Sequence, residues 1–269
     1  MPCYGTTDRT LNNARRLMEI LEVTSYEINI KDACEQHYKD IGYDKSKLDV
    51  TFENVQARER TQILMDVSNK IGSLVVGTGD LSELALGWCT YNGDQMSMYG
   101  VNASIPKTLV RGILESYAEH HEGLKDVLLD ICDTPVSPEL LPPNEDGTIK
   151  QKTEDKIGSY VVHDFILYYM LTHGFGPKKI FDLYVNAKTM HEKNIGVKEP
   201  VVDKQELLNN MDIFYNRFWT QQFKRSCMPD GVKVGSVSLS PRGDWRMASD
   251  ACQGIWLDEL KDLKEKYCK

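Results

Sequence analysis

The sequence predicts an α/β fold with a mostly helical C-terminal half, and three observations support this prediction. Two short segments, SYEINI (25–30) and SLVVGTG (73–79), have the alternating or continuous apolar character of strands. Amphipathic helical patterns alternate with these segments, which is typical of a parallel sheet with helical connections. After residue 106, helical patterns follow one another with only loops between them. The 269 residues suffice for one large domain or two small ones.

Apolar spacing predicts each helix in turn, and glycine or proline marks several of their ends. Leu11, Leu17 and Leu21 share one face of the first helix, and Gly72 ends the longest one. The Pro-rich and charged segment 133–158 is predicted to be a long loop, and loops of this length are usually functional or mobile. The predicted helices are 11–22, 31–43, 53–72, 106–121, 123–133, 159–173, 177–189, 203–225 and 250–267.

Composition excludes several classes of protein. The net charge of −8 and the pI of about 5.3 give no general attraction to nucleic acid or to an anionic membrane surface. The seven cysteines are scattered and form no CxxC pair, which indicates reduced thiols rather than a disulfide framework or a zinc site. No apolar run approaches the roughly 18–20 residues that span a bilayer, and no signal-peptide core is present. We therefore expect a cytoplasmic protein.

The segment LVVGTGDLSELALGW (74–88) raises the main question about function. An apolar strand, a glycine turn and a helix start follow one another, and nucleotide enzymes bind phosphates at such turns. The segment lacks the Lys-Ser or Lys-Thr of a Walker A loop and the third glycine of a dinucleotide fingerprint. A carboxylate of Asp80 or Glu83 could hold Mg²⁺. Alternatively, Asp80 or Ser82 could simply cap the helix, and the local pattern leaves both possibilities open.

Three further segments carry candidate ligands, and each has a structural alternative. Arg58 and Arg60 lie on different faces of one helix and could reach a phosphate or remain solvated. Lys107 ends the polar segment 91–107, which could be a substrate loop or an ordered connection. The basic segment 224–247 could bind phosphate or carboxylate groups, or form a surface charge cluster. Its cations are Lys224, Arg225, Lys233, Arg242 and Arg246.

Together, these segments resemble the synthetase portion of the long bacterial, glutamine-dependent NAD⁺ synthetases. The matching blocks run in order through nearly the whole chain, and the third and the last are long and specific. The blocks are MPCYGTTDRTLNNA, ENVQARERTQ, LVVGTGDLSELALGWCTYNGDQMSMYGVNASIPKT, DTPVSPELLP, TEDKIGSYVVHDF and FKRSCMPDGVKVGSVSLSPRGDW.

The resemblance implies a Rossmann-like adenine nucleotide alpha-hydrolase fold, also called the ATP pyrophosphatase fold. Residues 1–269 would form one ligase domain that is truncated at its N-terminus and has no glutaminase domain. The family's first, central strand and its Ser-Gly-Gly-x-Asp-Ser phosphate loop would precede this chain. Without that strand, we expect the segments 25–30 and 73–79 to have exposed, aggregation-prone edges.

The resemblance also implies a reaction, the ATP-dependent amidation of deamido-NAD⁺ to NAD⁺. An acyl-adenylate would form and be attacked by ammonia, which a glutaminase domain absent from this chain would deliver. AMP and pyrophosphate would be released, with ATP and Mg²⁺ required. This chain alone is expected to be inactive or weak, and the alternative is a non-catalytic dinucleotide-binding fragment. Family members form oligomers, so a homo-oligomer is expected.

The resemblance assigns roles to individual residues of this sequence. Lys107 and Glu83 are expected to be catalytic, Lys107 through the ATP phosphates and Glu83 as the Mg²⁺ ligand. The other expected ATP contacts are Thr78, Arg58, Thr134 and Ser137. The expected contacts to deamido-NAD⁺ are Asp94, Lys224 and Arg225.

Overall fold

The structure, a computed structural model, describes residues 1–137, 139–142, 144, 153–193, 201–236, 238–248 and 250–267. The chain divides into two compact units. Unit 1 comprises Met1–Gly77, Cys89–Tyr99 and Leu109–Lys156, and unit 2 comprises Thr78–Trp88, Gly100–Thr108 and Ile157–Lys269. All four tryptophans of the sequence, at positions 88, 219, 245 and 256, belong to unit 2.

Unit 1 consists mainly of helices. Helix α1 packs against α6, and α2 packs against α3. The Asp49 side chain caps α3 by accepting a 2.8 Å hydrogen bond from the Thr51 amide, and Gly72 ends the helix with a φ of +67°. The elements are α1 (Asp8–Ile20), α2 (Lys31–Asp40), a 3-10 helix (Lys45–Lys47), α3 (Val50–Ile71), β1 (Val76–Gly77), most of α5 (Lys107–His120) and α6 (Glu122–Cys132).

The contact between α2 and α3 contains an aromatic core. Tyr38 and Phe52 stack with ring centroids 5.5 Å apart, and both side chains are buried. The Tyr38 hydroxyl donates a 2.8 Å hydrogen bond to the Phe52 carbonyl, so its polar end is satisfied inside the core. Ile30, Cys34 and Val55 complete the buried cluster, which fixes the start of α2 against α3.

The strands differ most from the prediction. The described residues contain one two-stranded sheet, formed by β1 and β2 (Tyr99–Gly100). The segment 25–30 is not a strand, and Tyr26 is 66% exposed. Only two residues of 73–79 are in a strand, and Leu74 and Val76 are 58% and 53% exposed rather than buried. A strand requires a neighbour to accept its hydrogen bonds, and within the described residues segment 25–30 has none.

Unit 2 packs its helices around α10. The side chains of Phe214, Tyr215 and Phe218 on this helix are fully buried, and α10 contacts each of the helices α4, α8, α9 and α11. Helix α8 is apolar on most faces and is therefore largely buried. The helices are α4 (Leu81–Leu86), α8 (Tyr160–His173), α9 (Pro177–Glu192), α10 (Lys204–Thr220), a 3-10 helix (Gln222–Cys227) and α11 (Gly254–Tyr267).

The predicted helices are all present, with small shifts at their ends. The helix predicted over 203–225 ends at Thr220 and continues as the 3-10 helix. The loop predicted over 133–158 contains a short helix, α7 (Thr153–Ile157), while 138, 143 and 145–152 lie outside the described residues. In the part of the chain that the structure describes, no helix combines the length and apolar character needed to cross a bilayer.

Candidate functional site

The glycine turn Gly77-Thr78-Gly79 leads directly into α4, which begins with a capping box. Asp80 Oδ1 accepts a 2.9 Å hydrogen bond from the Glu83 amide, and Glu83 Oε2 accepts a 3.1 Å bond from the Asp80 amide. The two carboxylates thus satisfy amides that the first turn of a helix leaves without partners. The predicted capping role of Asp80 is confirmed. The capping box uses one oxygen of each carboxylate, so Asp80 Oδ2 and Glu83 Oε1 remain available to a cation.

Lys107 supplies that cation. Its Nζ atom lies 2.7 Å from Asp80 Oδ2 and 2.6 Å from Glu83 Oε1. The ammonium also lies 5.4 Å from the centroid of the Tyr160 ring, within the range of a cation–π contact. The Asp80 side chain is 4% exposed and that of Lys107 is 22% exposed, so the cluster opens to solvent mainly through Lys107 and Glu83. All four residues belong to unit 2.

The charges in this cluster shift the titration of their neighbours. Desolvation raises the pKa of Glu83, and the Asp80 carboxylate raises it further, against the opposing attraction of Lys107. Desolvation works against the Lys107 ammonium, but the Glu83 and Asp80 carboxylates outweigh it and raise the pKa of Lys107. Lys107 is therefore protonated at neutral pH and neutralises part of the negative charge at the start of α4.

Asp164 on α8 holds the starts of α4 and α5 together. Its Oδ2 atom accepts hydrogen bonds of 2.9 Å from the Thr108 amide and 2.7 Å from the Thr108 hydroxyl. Its Oδ1 atom accepts a hydrogen bond from the Ser82 hydroxyl, and Ser82 Oγ in turn accepts a 2.8 Å bond from the Lys107 amide. The carboxylate is buried, and desolvation raises its pKa. This network fixes the backbone of Lys107 beside the capping box.

Three cations lie at the other end of α4. Arg225 is 3% exposed and donates bonds of 3.2 and 3.1 Å to the carbonyls of Leu84 and Ala85. Lys224 Nζ donates to the Gly87 carbonyl at 2.9 Å, and Arg217 Nε donates to the Leu86 carbonyl at 3.0 Å. Carboxylates at the first turn and cations at the last complement the helix dipole.

Arg225 and Lys224 were predicted to bind deamido-NAD⁺, and the structure places them differently from each other. The Arg225 guanidinium also donates a 2.7 Å bond to the Phe218 carbonyl and lies 4.5 Å from the Phe218 ring centroid. Burial lowers the pKa of Arg225 to about 10, so it remains charged at neutral pH. The Lys224 side chain is only half-buried. Their predicted substrate roles stay predictions.

Two other cations of the basic segment, Lys233 and Arg242, pair with nearby acidic side chains. Lys233 Nζ lies 2.8 Å from Asp244 Oδ2. The Arg242 guanidinium contacts Asp230 Oδ1 at 2.9 Å and the Met228 carbonyl at 2.7 Å. These contacts stabilise the turns of residues 228–244, which supports the structural alternative for this part of the segment.

Four of the predicted site residues belong to unit 1. Arg58 on α3 donates two 3.3 Å bonds to the Tyr91 carbonyl, and the nearby Asp94 accepts a 2.6 Å bond from the Thr90 amide. Thr134 donates a 2.8 Å bond to the Asp130 carbonyl at the end of α6. Ser137 Oγ accepts a 3.1 Å bond from the Glu139 amide. Within unit 1, the Tyr91 loop thus brings Arg58 and Asp94 to the same region.

The candidate metal ligands fit a divalent cation that prefers oxygen. Asp80 Oδ2 and Glu83 Oε1 converge on one position, which Lys107 Nζ contacts in this structure. Carboxylate oxygens are preferred ligands of Mg²⁺, which also takes water and phosphate oxygens. Thr78 is exposed two residues before Asp80. Among the described residues, no group of three or more His, Cys, Asp or Glu side chains is arranged to hold a metal.

Sequence reasoning missed part of this site. Asp164 and Tyr160 were not among the candidates, and Asp80 was weighed without a role toward Lys107. One available signal was the isolated aspartate in the apolar run YVVHDFILYYM (160–170), because an unpaired carboxylate is rarely buried. The sequence could not show its partners, since Ser82 and Thr108 come from distant segments.

Known proteins match this chain along most of its length. The family model described as NAD synthase matches residues 1–196. The glutamine-dependent NAD(+) synthetase of Mycobacterium leprae (strain TN) is 44% identical over 280 residues, covering 97% of this chain and 41% of that protein. The enzyme of the same name from Mycobacterium tuberculosis (strain ATCC 25618 / H37Rv) is 42% identical and covers 97% and 40%. The chain thus spans about two fifths of the length of these curated relatives.

Solved structures share the fold. A glutamine-dependent NAD(+) synthetase from Cytophaga hutchinsonii superposes with a TM-score of 0.72 at 20% identity, covering 97% of this chain and 40% of that one. An NMN synthetase from Francisella tularensis gives a TM-score of 0.52 at 22% identity, covering 75% and 76%. These similarities show that the chain shares the fold of these synthetases, which in this structure is a mostly helical α/β fold. Because the family model and the mycobacterial sequences match most of its residues, the chain belongs to the NAD synthase family.

Proposed function

We propose that this chain is the synthetase portion of a glutamine-dependent NAD⁺ synthetase. It would catalyse the ATP-dependent amidation of deamido-NAD⁺ through an acyl-adenylate that ammonia attacks. Ammonia does not displace oxide from a carboxylate, so adenylation supplies the leaving group, and AMP and pyrophosphate are the other products. In this proposal a glutaminase domain, as the names of the relatives suggest, delivers the ammonia.

One observation carries the proposal, namely the ion pair between Lys107 and the Asp80–Glu83 capping box in a chain of this family. The ammonium is held at the end of a glycine turn, where backbone amides and the helix dipole favour anions. If the Lys107 ammonium moved away from one of the two carboxylates, it could contact a phosphate oxygen while it remained paired with the other carboxylate. Preorganised charge of this kind stabilises the negative charge that develops during adenylyl transfer.

The proposed roles follow the predicted residues. Lys107 contacts the phosphates of ATP, Thr78 contacts ATP, and Glu83 holds Mg²⁺, with Asp80 as a second oxygen ligand. The bound Mg²⁺ would supply charge neutralisation on the phosphates. Asp164 positions Lys107 through Ser82 and Thr108.

Residues of unit 1 and the late basic pair complete the proposal. Arg58, Thr134 and Ser137 would contact ATP, and Asp94, Lys224 and Arg225 would contact deamido-NAD⁺. Arg225 is the weakest of these assignments, because its guanidinium already donates to three backbone carbonyls in a buried position. The contacts of Arg225 agree better with a role in holding the C-terminal end of α4. Lys224 donates to the Gly87 carbonyl at the same end of this helix.

The fold in this proposal is the Rossmann-like ATP pyrophosphatase fold. The sheet of the described residues has two strands, β1 and β2, and this supports the expectation that a further strand belongs beside β1 in the complete sheet. Such a strand would also bring the Ser-Gly-Gly phosphate loop that the family resemblance implies. The activity of the 269-residue chain alone is accordingly proposed to be weak or absent.

The test uses the purified chain with deamido-NAD⁺, ATP, Mg²⁺ and ammonium, which replaces the glutaminase. NAD⁺ is measured by an enzymatic cycling assay, and binding of ATP and of deamido-NAD⁺ is measured separately by calorimetry. Lys107→Met is the site variant and Lys125→Met is the matched control, since Lys125 forms a surface pair with Glu122 at 3.8 Å.

Four outcomes are informative. NAD⁺ formation that Lys107→Met abolishes would support a competent ligase site. Binding of both ligands without product is expected if the chain alone is inactive, and it equally fits the alternative of a non-catalytic dinucleotide-binding fragment. Failure to bind either ligand, or turnover that does not depend on Lys107, would contradict the proposed site.

A further inference from the structure

One face of helix α8 carries two side chains that act on Lys107. Tyr160 and Asp164 are one helical turn apart, so they lie on the same face of α8. Asp164 fixes the Lys107 backbone, because it binds the Ser82 hydroxyl, which accepts a hydrogen bond from the Lys107 amide. Tyr160 lies at the other end of the lysine, with its ring centroid 5.4 Å from Lys107 Nζ. The same helix face thus constrains both the backbone and the ammonium of Lys107.

The Tyr160 ring has little freedom of its own. Its side chain is 3% exposed, and it meets the His163 ring edge-on, with centroids 6.3 Å apart and an angle of 82° between the ring planes. His163 is held in turn by its 2.6 Å hydrogen bond to the Ile157 carbonyl. A buried aromatic side chain packed in this way offers a rigid surface to the Lys107 ammonium.

The backbone that leads into α8 is fixed as well. Gly158 has a φ of +85°, and a Cβ atom at this position would clash with the Asn210 side chain. Asn210 is 3% exposed, and its Oδ1 atom accepts a 2.7 Å hydrogen bond from the Ser159 amide. This contact between α10 and the turn before α8 sets the direction from which Tyr160 approaches Lys107.

An aromatic ring and a carboxylate are different partners for an ammonium group. A carboxylate carries a full negative charge, so it competes with a phosphate for the same cation. The face of an aromatic ring attracts a cation through its quadrupole and carries no net charge. The Tyr160 ring can therefore stay in contact with the Lys107 ammonium while the ammonium turns from a carboxylate toward a phosphate.

We propose that Tyr160 is a positioning residue, which keeps the Lys107 ammonium at the glycine turn when it moves from a carboxylate to a phosphate of ATP. This inference rests on the proposed function, in which Lys107 contacts those phosphates. Without the ring, the aliphatic part of the Lys107 side chain can relax into the space that the ring occupied. Ordering the side chain again on binding then lowers the affinity for ATP.

Proton–carbon NMR of the 269-residue chain, labelled at the lysine ε-carbons, tests the contact directly. The ε-methylene signal of Lys107 is identified by its loss in Lys107→Met. In the wild-type chain we expect this signal upfield of the exposed lysines, because of the ring current of Tyr160. It should stay there in Tyr160→Phe, which keeps the ring, and move to the exposed position in Tyr160→Leu. A wild-type Lys107 signal at the exposed position would overturn the proposal, whether or not the chain binds ATP.

Calorimetric titration with ATP tests the consequence for binding. We expect Tyr160→Leu to weaken ATP binding roughly fivefold and Tyr160→Phe to bind like the wild type. In the Lys107→Met background, Tyr160→Leu should change the affinity by less than about twofold, because the ring then has no ammonium to position. Tyr184→Leu is the matched control, since Tyr184 is a 2% exposed tyrosine on α9 in the same unit, and it should leave the affinity unchanged.

The outcomes separate the role of Tyr160 from the proposed function. A loss of affinity that is equal in Tyr184→Leu, or that persists in the Lys107→Met background, would mean that Tyr160 only supports the fold and would overturn the proposal. Weaker ATP binding in Lys107→Met without any effect of Tyr160→Leu would overturn the role of Tyr160 alone and leave the proposed function intact. Absence of ATP binding in the wild-type chain would instead contradict the proposed function.

Discussion

Lys107 and Glu83 form a 2.6 Å ion pair although 24 residues separate them in the chain. The pair depends on two local structures, the capping box that orients Glu83 and the Ser82–Asp164 network that fixes the Lys107 backbone. When no other cation is bound, the Lys107 ammonium neutralises part of the negative charge of the Asp80 and Glu83 carboxylates at the start of α4. A divalent ion that binds there must compete with it.

This competition predicts that Lys107→Met increases the affinity of the Asp80–Glu83 pair for Mn²⁺, used as a probe for Mg²⁺. We expect roughly a tenfold gain, about 1.4 kcal/mol, because the ion no longer has to displace an ammonium group. The calorimetry is carried out at pH 8, because a pH above neutral favours the carboxylate form of Glu83, whose pKa is raised by desolvation. Lys125→Met should bind like the wild type, and equal affinity in Lys107→Met would contradict the competition.

Asp164→Ala is expected to destabilise the protein by about 2–3 kcal/mol, because it leaves the Thr108 amide and two hydroxyls without their acceptor. Urea unfolding followed by circular dichroism measures this loss. Asp126→Ala removes a surface carboxylate that is 84% exposed, and it should change stability by less than about 0.5 kcal/mol. Equal stability of the two variants would show that the Asp164 network contributes little.

His163 predicts a pH dependence of stability. Desolvation lowers its pKa to about 4, while its Nε2–H donates a 2.6 Å bond to the Ile157 carbonyl. Below pH 6.5 His163 binds a proton in the unfolded chain but not in the folded chain. The free energy of unfolding therefore decreases as the pH drops from 6.5 to 4. The loss attributable to His163 is about 3 kcal/mol.

The comparison of His163→Gln with wild type isolates this contribution from that of the carboxylates. The variant should lose less stability between pH 6.5 and 4, whereas His173→Gln, at an exposed position, should follow the wild-type curve. Parallel curves for wild type and His163→Gln would refute the assignment.

The Arg225→Met variant tests whether Arg225 stabilises α4 or only binds a ligand. We expect a loss of about 3 kcal/mol in unfolding free energy, since the Leu84, Ala85 and Phe218 carbonyls lose the hydrogen bonds that Arg225 donates inside the protein. Lys224→Met should cost less than about 1 kcal/mol, because the Lys224 side chain, which donates to the Gly87 carbonyl, is only half-buried. An Arg225→Met variant as stable as wild type would favour the substrate role.

Two exposed apolar residues, Leu74 just before β1 and Val76 within it, predict self-association. Leu74→Lys combined with Val76→Lys should shift the chain toward smaller species in sedimentation velocity, because charges block edge-to-edge pairing of strands. Ile255→Lys is the matched control, since Ile255 is 79% exposed but lies on α11. A similar change in both variants would mean that general hydrophobicity, rather than the strand edge, drives association.

The helices and the strands differ in how far the sequence predicts them. A helix such as α3 satisfies its own hydrogen bonds, so its apolar period and its ends at Asp49 and Gly72 are local signals. A strand needs a neighbour, and SYEINI (25–30) has the right alternation without the partner. The alternation therefore predicted a strand that is absent from the described residues.

The candidate site divides in a similar way. Glu83 and Lys107 were candidates from the local pattern, and the family resemblance predicted their roles. The capping role of Asp80 was predicted from its position before a helix. The contact of Asp164 with Thr108 joins residues that are 56 positions apart. The burial of Arg225 depends on its packing against α4. Neither is encoded in local spacing, because both arise only when distant segments meet.

The placement of all four tryptophans in unit 2 has a practical consequence for experiments on folding. Indole emission will respond to the surroundings of that unit alone, whereas amide ellipticity will sum the helices of both. Denaturation curves recorded with the two signals will coincide if the chain unfolds as one cooperative body. The curves will differ if the two units unfold independently. Tryptophan emission therefore reports on unit 2 without any added probe.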